Sequence, residues 1–118
     1  MAFDIKALTA EAEALQGAGR VEECIALHRR IVAGAPRSGV AAHNLASALA
    51  NSGRWQEAEA SAREAFARGL DAPETWLVLA HCLQALARWE AAANAYQQAL
   101  ARRPSYYQAH TELAQMRW

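Results

Sequence analysis

The sequence predicts an all-α fold of stacked helix–turn–helix units, and two sets of recurring positions predict it. Leu45-Ala46 and Leu79-Ala80 stand 34 residues apart, as do Leu49 and Leu83. One period onward lies Leu113-Ala114; one period back lies Glu11-Ala12, where only the small residue survives. Gly19-Arg20, Gly53-Arg54 and Ala87-Arg88 repeat at the same spacing, each followed by an apolar residue, Val21, Trp55 or Trp89. A period of this length marks a repeat array, whose units bury their apolar faces against one another.

Within each period the next recurring positions are Cys24, Ala58 and Ala92, then His28, Ala62 and Tyr96, then Ile31, Ala65 and Ala99. Pro36 and Pro104 close the first and third copies, and Leu70 stands where the second copy would have its proline. This pattern resembles the tetratricopeptide repeat. The resemblance covers nearly the whole chain and implies one domain over 1–118, a right-handed α-solenoid of seven helices. Its copies would be 5–38, 39–72 and 73–106, with a terminal helix from about 105 to 118.

Local signals support each element in turn. The second helix of the first copy opens on Glu22 and Glu23 and closes on Arg29 and Arg30; in the second copy Glu57 and Glu59 precede Arg68. In the third, Glu90 precedes Arg102 and Arg103, all suiting the helix dipole. Asp71-Ala72-Pro73-Glu74 reads as an N-cap, a proline in the first turn and a glutamate completing a capping box. Antiparallel helices approach closely where small side chains face large ones, so Cys24, Ala58 and Ala92 leave room for core wedges at Trp55, Trp76 and Trp89. The last segment ends on Met116-Arg117-Trp118 without a glycine stop. That predicts either packing back of Trp118, or an apolar edge for self-association, or continuation into a longer protein. Such repeats commonly precede catalytic domains, so an accessory module of a larger enzyme is the alternative function.

Composition excludes several classes. Twelve basic and twelve acidic side chains cancel, which gives no field to draw in nucleic acid or an anionic membrane. No apolar run reaches the ~18 residues of a membrane span, and the start, Met1-Ala2-Phe3-Asp4, lacks the form of a secretory signal. A cytoplasmic protein is expected. The eleven-to-one excess of arginine over lysine points to a GC-rich bacterial source. No nucleophile motif, phosphate-binding glycine loop or paired-cysteine metal site is present. The expectation is therefore a non-enzyme without cofactor or metal. Cys24 and Cys82 are expected to be inert, and His28 and His110 to be structural.

The resemblance implies that the first helices line a concave groove holding a peptide or helix of a partner protein. The residues so placed are Thr9 and Glu13 in the first copy, His43, Asn44, Ser47 and Asn51 in the second, and Leu77, Val78 and His81 in the third. Asparagine at the place of Asn44 hydrogen-bonds peptide backbone in family members. One subclass grips the C-terminal carboxylate of chaperone tails with five side chains; the matching positions here are Thr9, Glu13, Asn44, Glu74 and Val78, of which only the asparagine is retained. Glu13 and Glu74 would repel a carboxylate, so chaperone tails are not expected as partners.

Overall fold

The computed structural model describes residues 4–116. Among these the chain forms seven helices and no strand: α1 (Ile5–Gly17), α2 (Val21–Gly34), α3 (Gly39–Asn51), α4 (Trp55–Ala67), α5 (Pro73–Ala85), α6 (Trp89–Arg102) and α7 (Tyr107–Gln115). Each helix packs on the next, α3 also reaches α5, and the molecule is elongated at 51 × 28 × 23 Å. This is a helical-repeat solenoid of three helix pairs and one further helix. None of the described helices is long and apolar enough to cross a membrane.

The recurring Gly-Arg steps are the turns inside each pair. Gly19 and Gly53 take φ of 77° and 79°, and the amides of Arg20 and Arg54 close the helix by donating to Leu15 and Leu49 carbonyls at 2.9 Å. Ala87 makes the same turn at φ 61°, with Arg88 donating to Leu83, so its Cβ bears a left-handed conformation that glycine would adopt freely.

The small positions behave as the packing argument requires: Cys24, Ala58 and Ala92 are 1%, 0% and 0% exposed. The tryptophans do not. Trp89 is 47% exposed, and the large side chain that fills the third copy is the fully buried Tyr96. Trp55 and Trp76 are half-buried, and Trp76 lies between the Phe66 ring and the Arg102 guanidinium at 4.4 and 4.9 Å. Trp55 and Trp89 are the first residues of α4 and α6.

The expected capping box is also replaced. Ala72 is the N-cap of α5 and has no side chain to offer, while Asp71 accepts from Trp76 Nε1 and Arg102 Nε at 2.8 and 2.6 Å. Glu74 pairs with Arg103. Acids do occupy the first turns of α2, α4 and α6, but Glu59 lies deeper and pairs with Arg63 and Arg88. Arg29 and Arg30 fall short of the last turn because α2 runs on to Gly34.

The terminal helix is shorter than expected. It begins at Tyr107, beyond the Pro104 turn, and stops at Gln115, where Met116 turns extended. Met116 is 8% exposed and belongs to the core of the last copies, so it forms no exposed apolar edge. Trp118 lies outside the described residues.

Candidate functional site

One face of the solenoid is built by the odd-numbered helices, whose other sides enter the core. On α1, Thr9 is half-buried and Glu13 exposed; on α3, His43, Asn44 and Ser47 are half-buried and Asn51 exposed. On α5, His81 and Val78 are half-buried, but Leu77 is only 6% exposed and packs in the core, leaving a ligand nothing to touch.

Polar contacts fix several of these groups. His43 Nδ1 lies 2.9 Å from the hydroxyl of the fully buried Thr75, which joins α3 to α5. Burial lowers the His43 pKa, and the nearby Glu74 opposes this. His81 rests edge-on against the Tyr96 ring, 5.9 Å between centroids, and burial lowers its pKa against the pull of Glu112 on α7. Beneath it the Tyr96 hydroxyl donates to Gln84 Oε1 at 2.6 Å, and burial first, then Glu112, pushes its pKa up. The Glu74 carboxyl is held below its usual range by its own backbone amide and then by Arg103, whose guanidinium covers Tyr106 at 4.6 Å. These side chains are held in place by neighbours and form a polar, preorganised wall.

Two hollows lie between α1 and α3 on this face. One, of about 370 Å³, is lined by Ile5, Lys6, Thr9, Ala10, Glu13, Ser38, Val40, Ala41 and Asn44. The other, of about 130 Å³, is lined by Glu13, Gln16, His28, Asn44, Ser47 and Ala48. His28 is 4% exposed, and burial lowers its pKa against the influence of Glu13. His110, by contrast, is exposed and donates from Nε2 to the Pro104 carbonyl at 2.7 Å.

The thiols are buried. Desolvation raises the pKa of Cys24, and desolvation with Glu59 raises that of Cys82 to about 11, so neither forms a thiolate near neutral pH. Among the described residues no group of three metal-ligating side chains comes together.

Thr75, Tyr96 and the Arg103–Tyr106 stack were not expected in the site. The Thr75 contact could have been anticipated, because its 32-residue separation from His43 is the repeat less two and joins equivalent helices of adjacent copies.

A sequence profile described as Tetratricopeptide repeat matches residues 73–116, and a second of the same description matches 41–71. No curated protein matches the chain. Among solved structures, the first TPR of Spaghetti (RPAP3), bound to an HSP90 peptide, superimposes with a TM-score of 0.88 at 22% identity, over 93% of this chain and 87% of that one. The second TPR domain of human RPAP3, in complex with an HSP70 peptide, gives 0.85 at 20% identity, over 91% and 89%. An O-GlcNAc transferase of Thermobaculum terrenum gives 0.83 at 27% identity, over 96% of this chain but 22% of that one.

Proposed function

Because the chain belongs to the tetratricopeptide-repeat family, we propose that it is a non-catalytic scaffold whose concave face, on α1, α3, α5 and α7, holds a peptide or helix of a partner protein. The observation that supports this most is the row of half-buried polar side chains His43, Asn44, Ser47 and His81 on helices anchored by the core. Such groups hydrogen-bond backbone at little ordering cost. Similar domains whose structures contain HSP90 and HSP70 peptides support peptide binding as the kind of function. The unit is one domain over 1–118, with copies 5–38, 39–72 and 73–106, working in the bacterial cytoplasm without cofactor.

Selection of displayed random peptides tests this reading. Binders are expected to lose about tenfold in affinity with Asn44→Ala, the scale of one lost buried hydrogen bond. Binders indifferent to Asn44→Ala and Ser47→Arg but lost with Arg63→Glu would move the site to the opposite face. Chaperone tails are not ligands in this proposal, because among the described residues Glu13 makes no ion pair and Arg103 is already engaged by Glu74. Micromolar binding of an acidic C-terminal peptide in calorimetry would overturn that.

A second reading is favoured by the transferase similarity: the chain is the repeat module of a larger enzyme. A native polypeptide much heavier than 12.8 kDa in the source cells, carrying a catalytic domain, is the result that would establish it.

A further inference from the structure

His28 is 4% exposed, and among the described residues its ring nitrogens have no hydrogen-bond partner. All twenty-four side-chain hydrogen bonds involve other groups. No fully enclosed side-chain nitrogen or oxygen is left unsatisfied, so the nitrogens of His28 must reach accessible space. His28 lines the hollow of about 130 Å³, the accessible space next to it on this face. A polar side chain 4% exposed, lining a cavity and without a partner, is what a ligand group would complete.

The walls of the hollow decide the charge of that group. Glu13 stands at its rim and, among the described residues, makes no ion pair that would neutralise it there. Gln16, Asn44 and Ser47 add neutral acceptors, and no basic side chain lines the hollow. His28 itself, with its pKa lowered by burial, is neutral at physiological pH and offers an acceptor lone pair. An anion would meet the Glu13 carboxylate without compensation; an ammonium or guanidinium would find a carboxylate and several acceptors.

The larger hollow shares Glu13 and Asn44 with the smaller and continues it along α1 and α3. It is apolar where Ile5 and Val40 stand 41% and 56% exposed. Its one base, Lys6, is seven residues from Glu13, about 10 Å along the helix, so it leaves the Glu13 end acidic.

We propose that these joined hollows read a short extended segment of the partner, the smaller taking a lysine or arginine side chain between Glu13 and His28 and the larger taking an adjacent aliphatic side chain. This rests on the reading of the face as a peptide groove and adds its side-chain preference.

The test uses the peptides selected on the intact chain as above, with their sequences read for composition and their affinities measured against variants. Enrichment of Lys or Arg next to Leu, Ile or Val is expected, with about a tenfold loss of affinity in Glu13→Gln that replacing the peptide's base by glutamine abolishes. Glu13 is exposed, so this variant keeps the fold; His28→Phe, which keeps an aromatic ring there, should lose the preference for a base without losing the aliphatic one. Groove binders that show no basic preference, or favour Asp and Glu, would sink the inference while leaving the groove intact. A failure to select any groove binder would sink both.

Discussion

Arg68 and Arg102 are one repeat apart and close equivalent helices, yet they do different work. Arg68 Nη1 donates to the carbonyls of Val32, Ala35 and Ser38 at 3.4, 3.1 and 3.2 Å, gathering the linker between α2 and α3. Arg102 instead bonds Asp71 in the linker between α4 and α5 and stacks on Trp76. The two linkers explain the difference. Pro36 occupies the position whose amide would have bonded the Val32 carbonyl, and proline has no N–H, so an orphan acceptor is left for Arg68. The second linker has Gly69 in the left-handed region at φ 94°, with Gly69 and Leu70 amides satisfying Phe66 and Ala65. These amides take up carbonyls of the last turn, and the arginine covers an aromatic ring instead.

Thermal unfolding of a matched pair tests this contrast. Arg68→Ala strands the Val32 carbonyl and removes second bonds from the Ala35 and Ser38 carbonyls, which keep the Ser38 and Ala42 amides, and should cost about 2 kcal/mol; Arg102→Ala loses mainly a stacked guanidinium and should cost about 1 kcal/mol. Equal losses would break the comparison. Restoring an amide with Pro36→Ala should reduce the Arg68→Ala penalty, a coupling that a double-mutant cycle would measure.

The two linkers also touch, and that contact sets a comparable effect. A Cβ on Gly39 would come 2.6 Å from Leu70 Cβ and 3.1 Å from the Ala65 carbonyl, so Gly39→Ala should lower stability by about 2 kcal/mol in denaturant titration. A neutral result would mean that the linkers separate easily.

Gains of about 1 kcal/mol are expected at two places where one copy lacks what its neighbour has. Ala87→Gly relieves the left-handed alanine that Gly19 and Gly53 avoid. Ala72→Ser supplies the cap that Ser38 gives α3, whose hydroxyl accepts from the Ala41 amide at 3.0 Å. An unchanged melting temperature in both would show that these turns are strained or uncapped at no cost.

The smallest effect is one of pH. Bonds from Arg102 and Trp76 hold the Asp71 pKa below 3.8, so its contribution is present above that value and disappears as pH falls through the lowered one. Acid should therefore narrow the gap between Arg102→Ala and the parent while leaving most of the Arg68→Ala gap, since carbonyls do not titrate. Stability curves at neutral and strongly acid pH check the sign.

The periodic features of this fold were legible because they repeat: the Gly-Arg turns, the small core positions and the acidic first turns recur at one spacing, and each copy reinforces the reading of the others. The misreadings fall where copies differ. Trp89 looked equivalent to a wedge but is 47% exposed, and Tyr96 fills the third copy instead. Asp71 looked like a cap, but Arg102 and Trp76, distant in sequence or across a helix turn, compete for the same oxygen.

The groove shows the same division. Periodicity brought His43, Asn44, Ser47 and His81 to one face, whereas the burial of Leu77, the Thr75 bond and the unpartnered ring of His28 depend on contacts between helices. By itself the sequence determined the repeat, the helices and which residues share a side, because these follow from local chain geometry and a fixed period. Only the tertiary structure decided which polar groups find partners and which stay open, because a hydrogen bond is lost within an ångström and that precision comes from packing.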